Sequence, residues 1–330
     1  MKAVLPLIAV AALVLLALVG VSVAHQTQYL FGVIIPYAAV AVFVLGFAYR
    51  VFQWGKSPVP FRIPTTCGQQ KTLPWIKHDK LENPVNGIQV VGRMLLEVLV
   101  FRSLFRNMKT ELKEGKAVYG SEKLLWLAGL AFHWSFLFIF VRHYRFFVQD
   151  VPSVIRMMEG LDSFFQVGAP LFYMTDAVIL GAVTFLLFRR VYLPQIRYIS
   201  LAADYFPLYL ILGVAISGIL MRYFFKVHIV AVKSLVMGLV TLSPAIPQGI
   251  GAIFYVHLFL ICCLLMYFPF SKLMHMGGVF MSPTRNMANN SRIVRHINPW
   301  NYPVHVHTYE EYEDDFREKM KKAGLPVEKE

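Results

Sequence analysis

The sequence is poor in charge and in cysteine, and it has no polar stretch long enough to fold as a domain of its own. Charged residues are 15% of the 330 and hydrophobic residues 57%. A soluble chain of this length needs far more polar surface. The three cysteines, Cys67, Cys262 and Cys263, exclude a disulfide framework, and none stands in a C-x-x-C metal pair. Cys262 and Cys263 sit in an apolar run as small packing residues; Cys67 lies in a polar loop. No internal repeat is visible, which argues against a transporter built from inverted halves. Acidic residues are also scarce, 19 against 32 Lys and Arg, for a net charge of +13. The basic residues lie between long apolar runs, as in cytoplasmic loops of a membrane protein, so lipid and no nucleic acid is expected as the partner of this charge.

What is present is apolar length. Six segments reach the roughly 20 residues a transmembrane helix requires: 3–24, 29–48, 124–146, 171–187, 206–224 and 250–274. The expected fold is therefore all-α, a polytopic transmembrane bundle of about six spans. The first segment resembles a signal peptide but is longer than such a core, and it reads as a retained anchor. Residues 50–123 carry thirteen Lys or Arg. This bias, with the basic 189–197 connection and the tail beyond Lys272, puts both termini and the long loop in the cytoplasm of a multi-pass cell-membrane protein. Four parts follow: two N-terminal helices (1–49), a cytoplasmic loop (50–121), a four-helix core (122–285) and a cytoplasmic tail (286–330). Residues 226–247 read as a helix lying in the interface. The stretch 53–86 is broken by proline and glycine, 85–105 reads as an amphipathic helix, and 308–322 as a charged helix ending at Gly324.

Four of the ten histidines fall within expected spans: His133 and His143 on the third, His257 and His275 at the last. A histidine in lipid is costly and usually functional. The third and last helices run antiparallel, so His133 pairs with His275 toward the cytoplasm and His143 with His257 toward the outside. Each couple has the makings of bis-histidine haem ligation, whereas zinc wants four ligands at one point. Ten residues of helix are about 15 Å of rise and eighteen about 27 Å; a kink at Pro269 is expected to absorb the mismatch. Gly129 and Gly251 remove bulk nearby, and Arg142 and Arg145 flank His143, placed to pair with haem propionates or to anchor at the interface. His305-Val-His307 reads as a solvated surface pair.

The runs Ala131-Phe-His133, Phe140-Val-Arg-His143, Leu186-Leu-Phe-Arg189-Arg190-Val-Tyr-Leu-Pro194 and Phe268-Pro-Phe-Ser-Lys-Leu-Met-His275 resemble the gamma subunit of respiratory nitrate reductase over residues 124–285. That resemblance implies four axial ligands for two haems b, and a propionate contact from Arg189 or Arg190 at the cytoplasmic haem. The run from Pro58 to Trp75, with the extra N-terminal span and longer tail, is similar to the DsrM family, the cytochrome b subunits of sulfite-reduction-associated complexes. It implies menaquinol as electron donor, a cytoplasmic heterodisulfide-reductase-like iron–sulfur partner, further membrane and extracytoplasmic redox subunits, and reduction of sulfur-bridged protein cysteines. A hydrogenase-linked (Hme-type) complex uses a similar subunit.

The function expected is quinone-linked electron transfer across the membrane, with a transporter or a passive anchor as rivals. An anchor leaves four buried histidines unexplained. Quinol-site candidates at the outer ends of the helices are Arg142, Tyr144, Glu159 and Asp162. Phe61 and Trp75 of the 53–86 loop are expected to dock the cytoplasmic partner.

Overall fold

The structure, a computed structural model, describes residues 2–23, 25–59, 68–293 and 305–329. Five helices are long and apolar enough to cross a membrane: α1 (Val4–Val23), α2 (Thr27–Gly55), Lys123–Phe146, Ala202–Phe224 and Ala252–Phe270. The last three contain α4 (Lys123–His143), α8 (Ala202–Ile219) and α10 (Ala252–Tyr267). The sixth expected span, 171–187, corresponds to α6, Met174–Tyr192, a helix that is not apolar enough to count with the five. Asp176, Arg189 and Arg190 at its ends lower its apolarity, but its 19 residues give about 28 Å of rise. It packs between α4 and α8; α8 packs on α10 and α1, and α10 also packs on α1 and α2. The core gathers Val10 and Ala17 of α1, Phe31 and Val33 of α2, Leu210 of α8, and Tyr255, Phe259 and Leu260 of α10.

The prolines explain where these helices depart from regular winding. A proline ring crowds the carbonyl four residues back and brings no N–H. In α2 a π-turn at Leu30–Ile34 precedes Pro36 and widens the helix ahead of the ring. In α8 Pro207 leaves the Ala203 carbonyl without its helical donor, and the Tyr267 hydroxyl from α10 supplies one at 3.2 Å. At Pro269 the last span breaks. α10 stops at Tyr267, two 3-10 turns follow, and α11 (His275–Met281) starts anew. Arg50 of α2 donates to the Pro269 carbonyl at 3.1 Å. Gly46 lets α2 approach there, since a Cβ at that position would lie 2.7 Å from Pro269.

The segment between α2 and α4 is not wholly helical. An amphipathic helix, α3 (Gly87–Val100), is capped by the Asn86 side chain accepting from the Gln89 N–H. Ile88, Val91 and Leu95 are exposed while Arg93 and Glu97 are buried, the arrangement of a helix whose apolar face meets lipid. An antiparallel hairpin follows, β1 (Met108–Lys113) with β2 (Lys116–Ser121), so the all-α expectation needs correction here. Its two-residue loop, Glu114-Gly115, has positive φ at both positions, 52° and 76°, as a type I′ turn requires. The strands are polar and mostly exposed, so they carry no apolar alternation to announce them.

The turn after α4 leads to α5 (Ser153–Asp162), and a short helix α7 (Pro194–Ile199) links α6 to α8. The expected interfacial helix is α9, Ile229–Val240. The tail helix is α12, Tyr309–Lys322, capped reciprocally by Thr308 and Glu311, with Gly324 beyond it at φ +71°. Phe61, Cys67 and His296 lie outside the described residues.

Candidate haem and quinol sites

α4 and α10 are not among the closely packed helix pairs; an imidazole couple meets between them, and a second joins α4 to the start of α11. The rings of His143 and His257 are 6.4 Å apart by centroid and 23° from parallel. Those of His133 and His275 are 5.8 Å apart and 79° from parallel. A metal bonded to two imidazole nitrogens at about 2 Å each puts the centroids about 6 Å apart, so both couples have the spacing of a shared axial site.

The chain also fixes which ring nitrogen is available. Nδ1 of His133 lies 2.7 Å from the Gly129 carbonyl, Nδ1 of His143 2.7 Å from that of Ile139, and Nδ1 of His275 2.8 Å from that of Lys272. A carbonyl only accepts, so each Nδ1 carries the proton and donates, leaving the Nε2 lone pair for a metal. His257 reaches the same state by another route. The Ser217 hydroxyl donates to the Gly213 carbonyl at 2.8 Å, and its oxygen lies 2.9 Å from Nδ1 of His257. The oxygen therefore accepts from that ring. The neighbouring Gly218 keeps α8 clear of this imidazole: a Cβ there would sit 3.2 Å from its Cε1. Of the glycines expected to matter, Gly129 acts through its carbonyl, whereas Gly251 caps α10 beside open space. These donor sets fit bis-histidine haem.

Arg142 is buried at the end of α4 between two carboxylates, 2.5 Å from Asp162 of α5 and 2.8 Å from Asp176 of α6. Asp162 also accepts from the Thr175 N–H and hydroxyl at 2.8 and 2.6 Å. Tyr223 donates to Asp176 at 2.9 Å from a second π-turn, Leu220–Phe224, at the end of α8. The guanidiniums of Arg142 and Arg222 lie 3.7 and 3.8 Å from the centroid of the Tyr173 ring; two groups that close must stack on opposite faces. Arg145 pairs with Glu159 at 2.8 Å, and Tyr144 is half exposed. Of the four quinol candidates, then, Arg142 and Asp162 come together, with Glu159 on the neighbouring pair and Tyr144 apart. Sequence reading missed Asp176, Tyr173, Arg222 and Tyr223, whose only signal was polarity at the ends of apolar runs.

At the other end of α6, Arg189 pairs with Glu122 at 2.7 Å. Arg190 donates to Ser200 at 2.9 Å and faces Asp204, which Lys272 contacts at 2.6 Å. Phe101, at the end of α3, stands edge-on to His133 at 4.9 Å. Trp134 and Trp126 of α4 donate to the Leu99 and Val100 carbonyls and hold α3 there. His305, His307 and Glu311 converge within 4.8 Å at the exposed start of α12.

A mostly helical chain with five candidate membrane spans and paired imidazoles between facing helices is a membrane bundle of the cytochrome b-like kind. A family model described as nitrate reductase gamma subunit matches residues 93–297, and the chain belongs to that family. The match extends the resemblance read over 124–285 back into α3 and the hairpin. The Hdr-like menaquinol oxidoreductase cytochrome b-like subunit of Archaeoglobus fulgidus is 46% identical over 278 residues, covering 82% of this chain and 83% of that protein. The protein of the same description from Archaeoglobus profundus is 38% identical over 273 residues, 81% of each chain.

Proposed function

We propose that the chain is the membrane cytochrome b subunit of a menaquinol-oxidising complex, carrying electrons from the outer side of the membrane to a cytoplasmic heterodisulfide-reductase-like iron–sulfur partner. The observation that carries this is the pair of imidazole couples, each with Nδ1 held by the chain and Nε2 left for a metal. Bound at these two sites, haem b supplies reversible one-electron transfer. His133 and His275 hold the inner group, His143 and His257 the outer. The relatives described as menaquinol oxidoreductase subunits support menaquinol as the reductant.

The protein's own groups then have distinct tasks. At the outer end the Arg142–Asp162–Asp176 cluster and Tyr223 fix the helix ends beside His143, and their carboxylates offer places for protons released by the quinol. At the inner end Arg189 and Arg190 are the propionate candidates, Arg189 now paired with Glu122 and Arg190 facing Asp204. Arg142 and Arg145 remain propionate candidates at the outer group, each at the cost of an existing ion pair. Both termini face the cytoplasm, and further membrane and extracytoplasmic redox subunits complete an assembly of the DsrM type in sulfite metabolism. The partner docks on the 53–86 loop, where Trp75 is 79% exposed and Leu73 53%. Truncating such an anchor typically costs about 2 kcal/mol or more of binding.

The test is optical. Protein purified from its own membrane shows reduced-minus-oxidised b-type bands for two haems, and a menaquinol analogue reduces both. Replacing His143 or His257 blocks reduction of the inner haem by the analogue and spares its reduction by dithionite. Absence of b-type bands overturns the cytochrome reading; unimpaired quinol reduction of the inner haem without the outer one moves the quinol site to the cytoplasmic side. Trp75→Ala leaves both haems in place and releases the iron–sulfur partner.

A further inference from the structure

A cavity of about 480 Å³ opens where α1 begins and α6 gives way to α7. Its walls include Val191, Pro194, Tyr198 and Tyr205, with the cations Lys2 and Arg197 beside them, and no carboxylate lines it among the described residues. The neighbouring basic side chains are all paired: Arg189 with Glu122, and Arg190 and Lys272 with Asp204. Among the described residues Lys2 makes one side-chain hydrogen bond, to the Tyr198 carbonyl at 3.3 Å. Arg197 makes no side-chain hydrogen bond or ion pair among the described residues.

The cavity's depth in the bundle is defined by the same contacts. The Arg189–Glu122 pair puts the end of α6 beside the start of α4, and the Lys272–Asp204 pair puts the start of α8 beside the turn that carries His275. The cavity therefore lies on the His133–His275 side of the bundle, at the ends of the spanning helices. Tyr198 is 85% exposed and Tyr192 68%, as aromatic side chains are at the headgroup level. Apolar walls below two uncompensated cations match a molecule with a hydrocarbon body and an anionic head, and basic pockets between membrane helices take such headgroups.

We propose that this cavity is a binding site for one anionic phospholipid, its phosphate between Lys2 and Arg197 and its acyl chain along Val191 and Pro194. The shared chemistry with free phosphate ends at the head, because the apolar walls give an inorganic ion nothing.

The test uses the full chain purified in detergent, depleted of lipid and titrated with phosphatidylglycerol or phosphatidylcholine, with bound lipid counted by native mass spectrometry. One phosphatidylglycerol per chain is expected to bind in preference to phosphatidylcholine. Lys2→Gln or Arg197→Gln should weaken it about fivefold and the double variant about thirtyfold. Lys226→Gln, an equal loss of charge on an exposed residue after the Leu220–Phe224 turn, should leave it unchanged. Unchanged helical circular dichroism in each variant shows that the fold is intact. Three results overturn the proposal: equal binding of the two lipids, phosphatidylglycerol affinity in the double variant equal to that of the native chain, or displacement of the lipid by millimolar inorganic phosphate. Displacement by a menaquinol analogue also overturns it and makes the cavity a quinone site.

Discussion

The imidazole of His257 is oriented by Ser217, a residue of α8, whose hydroxyl oxygen lies 2.9 Å from its Nδ1. The other three histidines at these sites are each held by a backbone carbonyl of their own segment. Only here does a side chain from a different helix set the tautomer, and only here can one substitution remove it. Ser217→Ala should therefore loosen His257 while leaving its helix intact. Loss of such a partner commonly costs about 10- to 100-fold in metal affinity. The haem-to-protein ratio during stepwise detergent washing checks this: the outer haem leaves first in the variant, and both are retained alike in the native protein.

Ligand pairing has its own signature. His133→Ala and His275→Ala should each remove the same haem, since those two rings lie 5.8 Å apart by centroid, and each variant should keep one b-type signal with identical redox midpoint. Two single variants that retain different haems would show that the pairing is wrong.

The buried cation at the end of α4 should dominate local stability. Arg142→Leu leaves Asp162 and Asp176 facing each other without their shared partner, and breaking a buried pair from one side costs about 3–5 kcal/mol. Arg145 is partly exposed beside Glu159, so Arg145→Leu should cost about 0–1 kcal/mol. Unfolding by increasing SDS, followed by circular dichroism, separates the two.

Acid should release the end of the tail before it unfolds α12. The Glu313 carboxylate accepts from the N–H groups of Glu328 and Lys329 at 2.7 and 2.8 Å. These bonds hold its pKa below the ordinary value, with burial opposing and Arg317 adding to the shift. A lowered folded pKa means the contribution is complete above the unfolded pKa of about 4.3 and is lost as pH falls through the folded value. The protection factors of the Glu328 and Lys329 amides, measured against the intrinsic rate at each pH, should stay high at about pH 6 and fall progressively below about pH 4. In Glu313→Gln they should be low throughout, because a neutral amide accepts less strongly.

Much of this was legible in the sequence, for reasons that differ by element. The apolar runs announced the spans because lipid leaves a helix no alternative partner for its backbone. The break at Pro269 was legible from one residue, since the ring cannot be accommodated in a regular helix. The histidine couples followed from spacing and antiparallel order. The hairpin stayed hidden because Glu-Gly is not among the common I′ pairs and neither strand buries a face. The polar cluster at Arg142 stayed hidden because Asp176 and Tyr223 are 34 and 81 positions away in the chain, and only the packing of α4, α6 and α8 joins them.

The ion pairs at both ends of α6 have a consequence for distance. Glu122–Arg189 ties it to α4 at one end and Arg142–Asp176 at the other, so the two helices form a ladder with both rungs locked. His133 and His143 are ten residues apart along one rail, about 15 Å of rise. On the proposed reading that each couple holds a haem, electron tunnelling between them falls exponentially with separation, and a gauge block of this kind would keep that step constant. A thicker or thinner bilayer tilts the ladder as a whole and leaves the gap unaltered.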